Sequence, residues 1–210
     1  MIKMRGCLIA LLTVVGSAAT TIAPSVAAPD ISHEASTFVQ SVDDKASAII
    51  GKNVDVADRE QRFRDMFVTS FDVPAIGRFV LGRYWRAATD AQKTEFLGLF
   101  EDMIVKTYSN RFTTYKEEQF TITGTRTDGD SAVVGSTFAQ TNGPPVKVDW
   151  RVLKTDGTLK IVDVMVEGVS MSVTQQQEFG SVIQRGGGRI DGLLEAMRER
   201  ARPQSHAAGN

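Results

Sequence analysis

Residues that could carry out proton or acyl transfer are few in this chain of 210 residues, and they lie far apart. The only histidines, His33 and His206, stand towards opposite ends, and neither has a nucleophile or a metal-ligating residue at a useful spacing. Histidine catalysis requires a second group held within hydrogen-bonding reach. The pattern therefore favours two solvated histidines and a protein that is not an enzyme.

Three further motifs are weak signals of catalysis or ligand binding. Ser170 follows Glu167-Gly168-Val169, which differs from the Gly-x-Ser-x-Gly nucleophile elbow. The Gly186-Gly187-Gly188 run lacks the Lys-Ser/Thr of a phosphate loop and is interpreted as a link between helices. Asp163 and Glu167 could form an acid pair, but their spacing along a strand separates the carboxylates, which favours structural partners. No catalytic residue, cofactor or metal site is predicted.

The N-terminal segment has the three-part pattern of a secretory signal peptide. Lys3 and Arg5 precede an apolar run from residue 7 to residue 15, and Ser25-Val26-Ala27 offers small residues for cleavage. A membrane anchor is the alternative, but the run is shorter than the roughly 20 apolar residues that span a bilayer. We therefore expect residues 1–27 to be removed on export. Cys7 is the only cysteine, so the mature chain is expected to have no disulfide.

The remainder has the length and charge of one ordinary soluble domain. Residues 28–202 are predicted to form a single domain, followed by a disordered tail at 203–210. Loss of Lys3 and Arg5 leaves 22 basic against 25 acidic residues, a net charge near −3. This balance offers nucleic acid no general attraction, and no nucleic-acid partner is expected.

Hydrophobic periodicity predicts helices in the first half of the chain and at its end. Helices are predicted at 32–50, at 56–70, in a short segment opened by Asp72-Val73-Pro74, at 172–184 and at 190–200. In the second of these, Arg59, Arg62 and Arg64 are predicted to lie on the solvent side. The longest begins after the cap signal Thr89-Asp90-Ala91-Gln92. Its apolar face runs from Phe96 to Tyr115, so from Asp90 onward the predicted helix spans about seven turns.

From Gln119 the apolar period changes to two, which is typical of strands. One face is predicted to carry Phe120 and Ile122, then Val134 and Phe138, then Val146, Val148, Trp150 and Val152, and finally Val162, Val164 and Val166. Asp128-Gly129, Asn142-Gly143 and Asp156-Gly157 separate the runs as hairpin signals. The predicted fold is therefore α+β, a four-stranded antiparallel meander with one polar face, carrying Lys147, Asp149 and Arg151, and one face covered by helices.

Three segments in a fixed order give the chain a family resemblance. They are Leu81-Gly82-Arg83-Tyr84-Trp85, residues 163–170 (Asp-Val-Met-Val-Glu-Gly-Val-Ser), and Arg189-Ile190-Asp191-Gly192-Leu193. Together they resemble the MlaC family, also called the toluene-tolerance family, of periplasmic phospholipid-binding proteins. The resemblance implies a periplasmic location and an apolar pocket between the sheet and the helices that holds acyl chains as cargo, with the headgroup towards solvent.

Given that resemblance, the apolar sheet face and the long helix supply the candidate lining of a lipid pocket. The candidates are Val134, Phe138, Val148, Trp150, Val152, Val164 and Val166 on the strands, and Phe96, Phe100, Met103 and Ile104 on the helix. Tyr84 and Trp85, between two arginines, are candidates for the rim of the pocket, or alternatively for a plug between helices. Periodicity alone does not distinguish a cavity from a packed core, so some of these residues are expected to be ordinary core.

By the same resemblance, the expected function is a lipid shuttle between membranes. The implied partners are an inner-membrane ABC transporter with an MCE-type subunit and an outer-membrane lipoprotein and porin complex. A hopanoid or another polycyclic lipid is an alternative cargo. A periplasmic adaptor with a dry core is the alternative from another functional class. The choice of lipid, the direction of transport and the oligomeric state stay open.

Overall fold

The computed structural model describes residues 31–49, 55–109, 119–140 and 142–202. The predicted signal peptide at 1–27, the predicted tail at 203–210, and Phe112 and Tyr115 of the predicted long helix lie outside these residues. In chain order, the described elements are α1 (Ser32–Ile49), α2 (Val56–Ser70), α3 (Val73–Leu81), α4 (Arg83–Ala87), α5 (Asp90–Ser109), β1 (Phe120–Asp128), β2 (Ser131–Phe138), β3 (Val146–Thr155), β4 (Thr158–Val166), β5 (Val169–Ser170), α6 (Met171–Arg185) and α7 (Ile190–Ala201).

The α+β prediction is confirmed, with one correction to the sheet. The strands form an antiparallel meander in the order β1-β2-β3-β4-β5, five strands rather than the four predicted. The added strand is very short and pairs Val166 with Val169 across a turn at Glu167 and Gly168, whose φ angles are 49° and 79°. A Glu-Gly pair is not one of the common hairpin signals, so the second arm of this hairpin was missed.

Local capping explains where several helices begin. At the start of α5, the Gln92 amide donates to Thr89 Oγ1 at 3.2 Å, and the Thr89 amide donates to Gln92 Oε1 at 2.9 Å. This reciprocal pair is the capping box that the sequence predicted. At α3, the Asp72 side chain accepts from the Ala75 amide at 3.0 Å, and Pro74 occupies the first turn. The helix α4 was not predicted.

The helices that cover the sheet differ from those expected. Helix α1 packs on β1 and β2, whereas α2, α3 and α6 pack on β4. The long helix α5 was expected to lie over the sheet, but it packs mainly against α2, α3 and α7. An amphipathic stripe shows that a helix has a buried side but not which partner covers it, so sequence could not separate the two cases.

Two corrections concern individual positions. Arg62 is exposed as predicted, whereas Arg59 is buried, with 9% of its surface accessible. In β4, a bulge between Ile161 and Asp163 leaves Val162 without a partner on β3. Ile161 therefore takes the fully buried position on the helix-covered face that was assigned to Val162.

Candidate functional site

The helix-covered face of the sheet divides into two zones that differ in burial. At one end, four side chains are fully buried within the main core: Ala132, Val134, Val152 and Ile161. At the other end, the apolar side chains are mostly half-buried: Phe120, Ile122, Phe138, Val146, Trp150, Val164 and Val166. We call these the packed zone and the open zone. The zones lie on the same strands, so the change in burial runs along the strand direction.

The register brings the open-zone residues side by side. Phe120 pairs with Phe138, and their rings lie 5.1 Å apart. Val148 pairs with Val166, and Trp150 pairs with Val164. Val148 is 7% exposed and belongs to this zone by position, although it is not part of the main core cluster. The arrangement forms an apolar floor whose side chains keep part of their surface accessible, although Phe120, Ile122, Trp150 and Val164 also pack against the edge of the main core.

A short polar relay crosses this apolar floor. The Trp150 Nε1–H donates to Ser136 Oγ at 2.9 Å, and the Ser136 hydroxyl donates to the Val148 carbonyl at 2.9 Å. Ser136 is 2% exposed. A buried hydroxyl or indole N–H without a partner is costly, and each group here satisfies the other. The relay therefore fixes the position of the Trp150 ring at the border between the open zone and the packed zone.

The predicted lining residues are thus not all in one place. Phe138, Val148, Trp150, Val164 and Val166 come together in the open zone, whereas Val134 and Val152 lie in the packed zone. Phe120 and Ile122 share the open zone but were not among the predicted lining residues. The signal that could have identified them was present, since both follow the period-two pattern of the first strand.

The helical candidates lie elsewhere. Phe96 and Phe100 are buried on α5 and meet Phe179 of α6 edge to face, with ring centroids 5.7 and 6.3 Å apart. This aromatic cluster joins helix to helix and gives the two rings a packing role. Met103 and Ile104 are half-buried and pack against the main core.

Tyr84 and Trp85 occupy α4, outside the sheet, where both pack partly against the core. An Arg83 N–H donates to the Tyr84 hydroxyl at 2.8 Å, and this bond, together with one to Gln184, lowers the pKa of the phenol. The Trp85 ring lies 5.8 Å from the Lys93 ammonium. The packing agrees with the plug interpretation, while Trp85 also lines a surface cleft with Phe79 and two arginines.

The carboxylates singled out in the sequence have structural partners. Asp163 accepts from the Ser170 hydroxyl at 2.6 Å and from the amide of Ser172 at 3.1 Å, which holds the start of α6 against β4. Glu167 accepts from the Lys147 amide at 2.6 Å. Both arrangements support the structural interpretation over a catalytic acid pair.

No group of three metal-ligating side chains occurs among the described residues. A separate search of the described helices finds none that is both long and apolar enough to cross a membrane.

Comparison with known proteins gives three findings. A family model described as MlaC protein matches residues 39–199. The toluene tolerance protein ttg2D of Pseudomonas putida is 25% identical over 129 residues, which cover 61% of this chain and 60% of that protein's length. A phospholipid-binding protein from Ralstonia solanacearum, solved in complex with a phospholipid, superposes with a TM-score of 0.71 at 26% identity, covering 80% of this chain and 96% of that one.

Proposed function

We propose that this chain, which belongs to the MlaC family, binds phospholipid by its acyl chains and carries it between membranes. The observation that supports the proposal most directly is the open zone of the sheet. It presents apolar side chains that the described helices leave half-buried, in a fold that superposes on a phospholipid-bound protein. Most apolar faces of this kind pack fully, as the neighbouring packed zone does.

The energetics of lipid transfer explain why such a floor is useful. Each lipid methylene exposed to water costs about 0.8 kcal/mol, so two acyl chains face a barrier of roughly 20 kcal/mol. A carrier lowers this barrier by supplying apolar surface. The affinity of the carrier for lipid then comes from buried apolar area rather than from bonds to the headgroup. Release stays possible because the receiving bilayer offers the acyl chains an equally apolar environment.

Within this proposal, the open-zone residues Phe120, Ile122, Phe138, Val148 and Val166 contact the acyl chains. The packed zone and the Trp150–Ser136 relay form the closed end of the site. The proposed location is the periplasm, and the proposed exchange partners are an inner-membrane ABC transporter with an MCE-type subunit and an outer-membrane lipoprotein and porin complex. Family membership supports these last points, and the protein is proposed to act without catalysis.

Co-purified lipid tests the proposal. The protein is purified without detergent and extracted with organic solvent, and the extract is analysed by mass spectrometry; phospholipid in near-stoichiometric amount is expected. Val166→Trp, which fills the open zone, should lower the lipid recovered per protein by several-fold. Val56→Trp is the matched control, because Val56 is 54% exposed on α2, and it should retain the wild-type amount.

Three results would contradict the proposal or one part of it. An extract of the wild-type protein free of any two-chain lipid, even after incubation with phospholipid vesicles, would point to a dry adaptor instead. A polycyclic lipid in place of phospholipid would keep the carrier but change its cargo to a rigid molecule. Equal loss of lipid in Val56→Trp and Val166→Trp would show that the open zone is not the site.

A further inference from the structure

A second surface feature lies where α3, α4 and α6 meet, away from the apolar sheet face. It is an open cleft of about 360 Å³ lined by Ala75, Arg78, Phe79, Gly82, Trp85, Arg86 and Gln176. Gly82, with φ at 52° and ψ at −124°, bends the chain between α3 and α4. Gln176 of α6 holds the bend by donating from Nε2 to the Phe79 carbonyl at 2.5 Å.

The charge of this cleft is opposite to that of the molecule as a whole. The segment from residue 73 to residue 89 contains three arginines and no acidic residue, although the full chain has a net charge of −1. Arg78 and Arg86 are exposed, and neither forms an ion pair with any residue that the structure describes. Arg83 donates to the Tyr84 hydroxyl rather than to a carboxylate. An anionic partner is therefore the complementary one.

Apolar side chains border these arginines. Phe79 is 46% exposed, and Val173, one helical turn before Gln176 on α6, is 40% exposed. Val169 of β5 is also exposed, at 55%, and pairs with Val166 of the open zone. We call Arg78, Phe79, Trp85, Arg86 and Val173 the docking surface. Aromatic rings interleaved with arginines suit the boundary between lipid headgroups and acyl chains, where ring bodies lie in an apolar layer and cations meet phosphate.

We propose that the docking surface seats the protein on an anionic lipid bilayer, with the arginines on phosphate groups and Phe79 at the headgroup boundary. The seat is weak and reversible, since a small number of cations and a single exposed ring provide it. Val169 lies four residues before Val173 in the chain and pairs with Val166 of the open zone, so docking would bring the membrane close to the cargo site. That last step rests on the proposed function, whereas vesicle binding itself does not.

Vesicle sedimentation with the chain from residue 28 to residue 210 tests the inference. One set of vesicles is phosphatidylcholine alone, and the other is phosphatidylcholine and phosphatidylglycerol in equal parts. The protein is expected to partition onto the mixed vesicles only, and to be released by high salt. Because each arginine near an anionic surface changes binding by about fivefold, Arg78→Gln combined with Arg86→Gln should lower the partition by more than tenfold.

Matched variants separate a local site from a general charge effect. Arg62→Gln combined with Arg126→Gln removes the same charge from exposed positions on α2 and β1, and it should leave partition near the wild-type value. Phe79→Ser should weaken vesicle binding, but it should change the salt dependence of binding less than the Arg78/Arg86 variant does. Co-purified lipid should persist in the Arg78/Arg86 variant, because these residues lie outside the open zone.

Three outcomes would overturn the inference: no partition onto the mixed vesicles, equal partition onto both kinds of vesicle, or wild-type partition by the Arg78/Arg86 variant. Absence of partition onto the mixed vesicles would favour an acidic segment of a protein partner, rather than a bilayer, as the occupant of the cleft. If partition fails while lipid still co-purifies, the docking surface is rejected and the carrier proposal stands. If the protein partitions onto the mixed vesicles while no lipid is ever extracted from it, the docking surface stands and the carrier proposal is rejected.

Discussion

Ser136 is the only serine on the helix-covered face of β2, and its environment explains how a polar residue can lie in an apolar floor. It accepts from the Trp150 indole and donates to the Val148 carbonyl, so its hydroxyl is used in both directions. The indole ring is thereby held at the inner end of the open zone. Under the proposed function, a rotating ring would change the depth available to an acyl chain, so the relay would contribute to the shape of the proposed site as well as to stability.

Removing either partner of this relay should be measurable. Ser136→Ala leaves the partly buried Trp150 N–H without its acceptor and is expected to lower the free energy of unfolding by about 1–2 kcal/mol, as judged by urea titration. Trp150→Phe also removes the indole bond, and the double variant should cost less than the sum of the single ones. Additive costs would show that the bond contributes nothing. Trp85→Phe, outside the sheet, serves as the control.

Two glycines in neighbouring helical segments should respond to alanine in opposite directions. Gly82 has φ at 52°, and an added Cβ would lie 3.1 Å from Gln176 Nε2, so Gly82→Ala is expected to destabilise the protein by about 1–2 kcal/mol. Gly98 is exposed within α5, with nothing within 4 Å of the added Cβ. Gly98→Ala should therefore stabilise the protein by roughly 0.5–1 kcal/mol. Thermal unfolding of both variants provides the comparison, and changes of the same sign would contradict it.

At the scale of the elements, local signals predicted most of the fold. The capping box of Thr89 and Gln92 placed the start of α5, and Asp156-Gly157, with φ angles of 50° and 78°, placed the β3–β4 turn. These signals depend on residues a few positions apart. The strand β5 and the bulge at Val162 were missed because they depend on pairing with strands elsewhere in the fold, which a period-two pattern does not contain.

The candidate site could be predicted only in part, for a related reason. Strand parity correctly placed Phe138, Val148, Trp150, Val164 and Val166 on one face of the sheet. Parity does not show how far along a strand the helical cover extends. The division between the open zone and the packed zone therefore could not be predicted from the sequence. The contact of α5 with α6 through aromatic rings could not be predicted either. Both are set by contacts distant in sequence.

Ion pairs between helices should give the stability of the protein a dependence on pH. Arg198 of α7 binds Glu95 of α5 through two bonds of 2.5 and 2.9 Å, and this lowers the pKa of Glu95 below its ordinary value of 4.5. A carboxylate with a lowered folded-state pKa stabilises the fold above its ordinary pKa, and this contribution is lost as the pH falls through the lowered value. Exposure of the pair keeps the effect small.

Glu95→Gln tests this pH dependence. Between about pH 5 and about pH 3, the free energy of unfolding of the wild type should fall more steeply than that of the variant. Glu199→Gln is the control, since the pair of Glu199 with Arg202 at 2.7 Å is local and links no two helices. Parallel curves for the wild type and Glu95→Gln would show that the α5–α7 pair does not contribute.

Over the whole molecule, the two zones predict uneven protection of the sheet. Amides near Ala132 and Val152, behind fully buried side chains, should exchange with deuterium slowly. Amides near Phe138 and Val166 should exchange faster in lipid-free protein, and should slow when phospholipid is added. Measurement by hydrogen–deuterium exchange with mass spectrometry would detect the difference. Uniform protection in the lipid-free protein would contradict it.

The unpaired Val162 has a consequence for the mechanics of the domain. A bulge increases the coiling of the ribbon around it, and β1 carries a second irregularity between Ile122 and Gly124. The two irregularities lie in β1 and β4, which flank β2 and β3, so each adds twist at one side of the central pair of strands. Excision of Val162 would keep Ile161 and Val164 on the same side while removing the added twist, so under the proposed function the shortened chain is expected to fold but to bind less phospholipid.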